Sequence, residues 1–245
     1  MRYQSPSAIN KDINQSGIVA SSQRGIHPRL EETVRKHLAT PWEQPFHTPT
    51  VEMYRQLLEA GVFITDQPFI LDSGCGTGKS TQMLAKLFPG HMVLGVDRSH
   101  VRLSRSGLNT CFHRSGNCVL VRAELTTFWR LLLADGHMPE QHYLLYPNPY
   151  PKPGHLSRRW HGHPVFPQLL RLGGDIELRC NWEIYALEFA QAVNLACAEP
   201  IQVKRYAAES GISLFEQKYL QRGQKLYSVN VPARVAAKCL QAAKR

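Results

Sequence analysis

Apolar and polar positions fall into a repeating rhythm between Phe69 and about Ala196 of this 245-residue chain. FILDS leads to TQMLAKLF, MVLGVD to SHVRLSRS, CVLVRA to LTTFWRLLLADG, HYLLYP to a loop and PVFPQLLRL, and DIELRC to NWEIYALEFAQAV. Short apolar runs, each followed by a segment of helical spacing, predict an α/β fold: a doubly wound, mostly parallel, Rossmann-like sheet with helices on both faces. Ligands of such sheets gather outside the carboxyl ends of the strands. After Pro200 the rhythm changes, and ISLFEQKY and KLYSVNV flank QRGQ, predicting a C-terminal antiparallel hairpin that extends the sheet. Residues 1–46 are rich in Ser, Gln, Asn and Arg with few apolar periods. They read as a partly flexible or surface-binding N-terminal extension, leaving 47–245 as one domain.

The first strand runs into DSGCGTGKST, residues 72–81. A phosphate cradle, GxxxxGK[ST], needs a glycine where Ser73 stands, because consecutive backbone N–H groups must turn inward around the phosphates. The glycines fall instead at Gly74, Gly76 and Gly78, where a ligand comes close to a strand-to-helix turn. A dinucleotide GxGxxG pattern would need a glycine at Lys79. Asp72 ends the first strand and Asp97 the second, and a carboxylate at the latter place can accept from both hydroxyls of a ribose. The competing reading of Asp97 is a helix cap ahead of Ser99. Glu124, after the third strand, stands where a side chain reaches an adenine amino group. It equally suits the start of the next helix. Together these residues point to a nucleoside cofactor, with a dinucleotide enzyme as the alternative.

Prolines at 147, 149, 151 and 153 exclude a helix or central strand after HYLLYP and predict a stiff loop at a strand end. The loop holds Asn148, Tyr150 and Lys152 near the cofactor, beside a basic group, His155, Arg158 and Arg159, suited to phosphates. A structural proline-rich turn with a solvated basic face is the plainer alternative.

Composition changes the picture in two ways. Lys and Arg total 29 against 19 Asp and Glu, a formal charge of +10, which favours a polyanionic partner as well as solubility. The six cysteines form no CxxC pair and read as buried reduced thiols of a cytoplasmic protein, without a metal cluster or disulfide framework. The polar N-terminus and the lack of a long apolar run predict no signal peptide and no membrane span.

The GxGxG triplet after an acid resembles class I S-adenosylmethionine-dependent methyltransferases. YPNPYPKPGHLSRR resembles the PDPWPK…RR segment of the tRNA (guanine-N7) methyltransferases, LRCNWEIYALEFA their TDWENYA stretch, and SLFEQKYLQRGQKLYSV their T-x-F-E…RG segment. Order and spacing agree from about residue 69 to 231. The resemblance implies S-adenosyl-L-methionine as cofactor, held near Asp72, Gly74, Gly76, Asp97 and Glu124, and tRNA as substrate. It also implies a catalytic role for Asn148, where the family has an Asp, and substrate contacts at Lys152, Asn181, Ser213 and Glu216. Arg98, Arg102, Arg158 and Arg159 are candidate phosphate contacts.

Asn148 and Asn181 both replace family Asp residues. Guanine N7 carries no proton to remove, so the transfer needs alignment of its lone pair more than a general base. Asn keeps an acceptor oxygen, loses the charge and adds a donor. Other readings are another base or RNA, an amino-group methyltransferase suggested by NPY, or a non-catalytic RNA-binding protein on the same fold.

Overall fold

The computed structural model describes residues 19–63, 67–108, 110–207 and 210–242. Eight strands form one sheet: β1 (Phe69–Ser73), β2 (Met92–Asp97), β3 (Phe112–Ser115), β4 (Cys118–Arg122), β5 (Gln141–Leu145), β6 (Asp175–Cys180), β7 (Val203–Tyr206) and β8 (Leu226–Val231). Their order is β3-β4-β2-β1-β5-β6-β8-β7. Strands β4, β2, β1, β5 and β6 run parallel, whereas β3 opposes β4 and β8 opposes both β6 and β7.

Every residue of β1 and β2 is buried, as expected of central strands covered on both faces. Successive side chains of a strand point to opposite faces, and the cores divide accordingly. Phe69 and Leu71 join one core with Leu94, Val96, Val119 and Val121, while Ile70 joins a second with Val93, Cys118 and Leu120. The helices are α1 (Leu30–Ala39), α2 (Thr48–Glu59), α3 (Lys79–Leu87), α4 (His100–Leu103), α5 (Leu125–Ala134), α6 (Phe166–Leu172), α7 (Glu183–Cys197), α8 (Leu214–Gln221) and α9 (Ala233–Ala242). Strand order reverses at β1, between β2 and β5, which fixes where the crevice opens.

Two sequence expectations are corrected, those for the hairpin and the cysteines. The hairpin was expected from ISLFEQKY, yet that segment is α8, and the antiparallel partner of β8 is β7. Ser213 decides the matter: its hydroxyl accepts from Glu216 N at 3.1 Å, an N-cap that commits the following turn to helix. Within the segment before residue 47, read as a partly flexible or surface-binding extension, α1 supplies Leu30 and Val34 to the main core, where they meet α7. Residues 1–18 of that segment lie outside the described residues. Among the cysteines, Cys75, Cys118 and Cys180 are buried free thiols, but free Cys111 is exposed and Cys197 is disulfide-bonded. Among the described residues no helix is long and apolar enough to cross a membrane, and no cluster of three or more His, Cys, Asp or Glu is placed to hold a metal ion.

Candidate active site

The turn from β1 into α3 adopts positive φ at Gly74 (83°), Gly76 (61°) and Gly78 (76°). These glycines serve different ends. A Cβ on Gly78 would stand 2.7 Å from Leu120 Cδ2, and one on Gly95 of β2 only 2.1 Å from Thr81 Oγ1, so both let α3 close onto the sheet. A Cβ on Gly74 or Gly76 would meet nothing within 4 Å. At Gly74, which is exposed and lines the cleft, the backbone is bared, whereas Gly76 is buried.

Asp72 lies beneath this turn and is fully buried. Its Oδ2 accepts from Ser80 Oγ at 2.6 Å and Thr81 Oγ1 at 2.8 Å, and Oδ1 has no partner. Burial pushes its pKa up to about 6 although the two hydroxyls favour the carboxylate. Asp72 thus ties the first turn of α3 to β1 and does not line the cleft. Its expected place at the cofactor gives way to one behind the loop.

Asp97, at the carboxyl end of β2, does line the cleft, together with Ser73 and Gly74. Its Oδ2 accepts from Gly76 N at 3.0 Å and its Oδ1 from Ser99 N at 2.8 Å, while Arg102 Nη1 stands 3.5 Å away. The cap of α4 is Ser99, whose hydroxyl accepts from Arg102 N. Asp97 therefore braces the glycine loop, and each oxygen retains acceptor capacity for a second donor. Glu124 is different. It caps α5, accepting from Thr126 N at 2.9 Å and Thr127 N at 2.7 Å. Burial would raise its pKa, but these N–H bonds outweigh it and hold it below the usual carboxylate range. The capping role accounts for its carboxylate at the rim of the cleft.

The proline loop leaves β5 through Tyr146 (φ 51°) and returns through Tyr150 (φ 43°). Left-handed backbone at a bulky residue costs about 1–3 kcal/mol and persists only where the surroundings enforce it. Enforcement is visible at both tyrosines. Tyr146 N donates to Arg179 O at 2.7 Å and its hydroxyl to Glu216 Oε1 at 3.1 Å. Tyr150 O accepts from Arg159 Nε at 3.2 Å and Nη2 at 3.1 Å. Between them Asn148 is exposed in the cleft, with Oδ1 accepting from Tyr150 N at 3.3 Å.

The two neighbouring arginines, expected to act alike on phosphates, part company. Arg158 is exposed, lines the cleft and sits 5.9 Å over the Tyr150 ring. Arg159 is wholly buried, paired with Glu188 of α7 at 2.5 Å and 4.9 Å over the Trp182 ring. It cannot reach a phosphate. Glu188 also accepts from Gln23 Nε2 at 2.6 Å and His27 N at 2.9 Å, and His161 Nε2 lies 2.9 Å from it. This buried cluster fastens the proline loop and the residues around 23–27 to α7.

The C-terminal candidates are likewise structural in position. Glu216 is fully buried, sharing its oxygens among Tyr146 OH, Arg179 Nη1 and Ile212 N. Ser213 caps α8. Glu216 is not among the cleft residues and supports the Tyr146 turn from behind, while Ser213 lines a neighbouring space between the glycine loop and α8. Asn181, after β6, donates to Gln224 Oε1 at 3.0 Å and is not among the cleft residues. Lys152 is exposed on the outer edge of the loop.

Sequence reading passed over four aromatic residues of the cleft, Tyr146, Trp160, Tyr185 and Phe215. Phe215 carried a signal, being the apolar residue between a capping Ser213 and a buried Glu216 on α8. Arg98, Arg102 and Arg158 rim the opening, so a basic mouth leads to a partly aromatic floor beside one buried carboxylate, Asp97. The arrangement suits a nucleoside held at Asp97 and the bare Gly74, next to a planar ring near Asn148.

A twisted sheet with a glycine turn and an acid at its switch point, facing a polar proline loop, defines a nucleoside-cofactor transferase. Residues 66–229 match the family model described as "Putative methyltransferase", and the chain belongs to that family. It is 26% identical over 193 residues to a tRNA (guanine-N(7)-)-methyltransferase of Bordetella pertussis, covering 76% of this chain and 68% of that protein. Its identity to the tRNA (guanine-N(7)-)-methyltransferase of Photobacterium profundum is 24% over 178 residues, covering 69% and 70% of the two chains. Among solved structures it is similar to a 16S rRNA (adenine(1408)-N(1))-methyltransferase of Catenulisporales acidiphilia, with a TM-score of 0.47 at 16% identity, covering 79% of this chain and 94% of that one.

Proposed function

We propose that the protein transfers a methyl group from S-adenosylmethionine to N7 of a guanine in tRNA. The observation that carries the reading is the adjacency of two features in one cleft: the bare-glycine turn with Asp97, and the exposed Asn148 on a loop clamped at both tyrosines. Family membership supports the transferase class, and the relatives named for guanine-N7 methylation of tRNA support the substrate.

The residues fit the cofactor. Open space over the exposed Gly74 admits a ligand against the backbone, and both Asp97 oxygens have lone pairs left for ribose hydroxyls. When bound, S-adenosylmethionine supplies an electrophilic methyl group on a sulfonium. The protein's part is then orientation. Asn148 Oδ1 is engaged by Tyr150 N, so its amide donors are what it offers a base. Guanine presents two acceptors side by side, N7 and O6, and a donor on O6 would leave the N7 lone pair free to attack. This gives the Asn at position 148 a use that a carboxylate would not have. Tyr150 and Trp160 supply flat surfaces for the ring, and Arg158 a cation for the adjoining phosphate.

Incubation of the purified protein with methyl-labelled cofactor and unmodified tRNA tests the reading. Incorporation into tRNA is expected. Label in neither tRNA nor ribosomal RNA, with the cofactor bound, would leave a non-catalytic RNA-binding protein instead.

A further inference from the structure

Adjoining the cleft, a second trough opens between the glycine loop and α8. It is lined by Cys75, Thr77, Arg105, Phe215 and Lys218, with no Asp or Glu in its wall. Phe215 borders both spaces, as do Gly74 and Arg102. Its ring is 47% exposed, and Leu214 beside it is 50% exposed, although α8 is otherwise anchored by the fully buried Glu216. Tyr219 stacks on Phe215 at 6.1 Å with an interplanar angle of 26°, and Tyr146 follows at 5.5 Å from Tyr219. An aromatic file thus runs from the trough to the Tyr146 turn that carries Asn148. Tyr219 flanks Phe215, and about half of the residue's surface remains exposed for a ligand.

An exposed aromatic side chain ringed by cations is what unpaired nucleic acid binds: bases stack on the ring and phosphates meet Lys and Arg. An apolar peptide would gain nothing from Arg105 and Lys218. A small anion would gain nothing from Phe215. We infer that the trough takes a nucleotide of single-stranded RNA flanking the methylated one, its base on Phe215 and its phosphate between Arg105 and Lys218. This inference rests on the proposed RNA substrate. It adds to the cleft a site that grips the unstacked strand next to the target and so favours guanines in loops over guanines in helices, whose neighbours cannot splay out.

The test measures tRNA affinity at several salt concentrations, with cofactor affinity alongside. Phe215→Ala should weaken tRNA binding on the order of 5- to 100-fold, the range for one stacked base, while Phe215→Trp keeps it. Arg105→Gln with Lys218→Gln should flatten the slope of log affinity against log salt by roughly 0.7 per lost contact. Cofactor affinity should stay as in the unaltered protein when Arg105 and Lys218 are replaced, since neither borders the cleft. Unchanged tRNA affinity and slope in these variants would overturn the inference. A fall in cofactor affinity instead would assign the trough to the cofactor and overturn it equally. An unaltered protein that binds no RNA would defeat the proposed function itself, a result distinct from either.

Discussion

Arg159 Nη1 lies 2.5 Å from Glu188 Oε2, and neither side chain is exposed. The same guanidinium donates to Tyr150 O and Gln23 Oε1, so one buried charge joins the proline loop, the residues near 23 and helix α7. Removing one partner of such a pair strands the other charge in the core, at a cost of about 3–5 kcal/mol. Arg159→Ala should therefore lower stability by that amount in urea unfolding, whereas Arg158→Ala should leave stability within about 0.5 kcal/mol. The expectation for RNA is the reverse. Neutralising Arg158 should weaken tRNA binding for all sequences and flatten its salt dependence by roughly 0.7 to 0.9. Equal stability losses for the two variants would refute the division of labour.

Acid should attack the same cluster. Burial alone would raise the Glu188 carboxyl, but the hydrogen bond from His161 and the Arg159 guanidinium outweigh it and hold the pKa at about 2. A depressed carboxylate contributes stability that is present above its ordinary value of 4.5 and lost as pH falls from there toward 2. His161, its pKa lowered by burial, acts in the same sense, since the unfolded chain gains a proton below about 6.5 that the folded one resists. Stability measured between pH 7 and pH 3 should fall, and in Glu188→Gln the part of the fall below pH 4.5 should shrink by about 2 kcal/mol.

Asp72 should behave with the opposite sign. Burial raises its pKa from 3.8 to about 6, so its contribution is fully present below 3.8 and is lost as pH rises through 6. Asn at this position keeps an acceptor for Ser80 and Thr81 without a charge to bury. Asp72→Asn should thus gain about 3 kcal/mol relative to the unaltered protein on going from pH 3.5 to pH 7.5. A carboxyl resonance titrating near 4 in the unaltered protein would contradict this account of Asp72.

Asp97 is expected to matter for both loop and ligand. Asp97→Ala should weaken S-adenosylmethionine binding by about 2–3 kcal/mol in calorimetry, through the lost acceptor for two hydroxyls. Because Gly76 N and Ser99 N lose their partner as well, the variant should also unfold about 1–2 kcal/mol more easily. Unchanged cofactor affinity with lowered stability would restrict Asp97 to bracing the loop.

Much of this was legible in the sequence because the signals were local. Five of the strands announce themselves as apolar runs, and the glycine spacing at 74, 76 and 78 placed the crevice beside β1. What escaped depended on distant partners. Nothing adjacent to Arg159 reveals that Glu188, 29 residues on, draws it into the core while Arg158 stays out. Glu216 looked available until Tyr146, Arg179 and Ile212 closed around it. ISLFEQKY has the composition of a strand, and only the cap at Ser213 turns it into α8. The short β3 is mostly polar and half-buried at best, so it has no apolar run to betray it.

The central claim is the identity of the methylated atom. Nucleoside mass spectrometry of tRNA, before and after treatment with the protein and S-adenosylmethionine, tests it most directly, with Asn148→Ala and the double variant Asn148→Asp, Asn181→Asp as companions. The account predicts new 7-methylguanosine, far slower formation with Asn148→Ala at nearly unchanged tRNA affinity, and slowed formation in the double Asp variant, whose carboxylate at position 148 has no donor for O6. Methylation of another base by the natural protein would contradict it, and undiminished formation in the double Asp variant would contradict the donor role of Asn148.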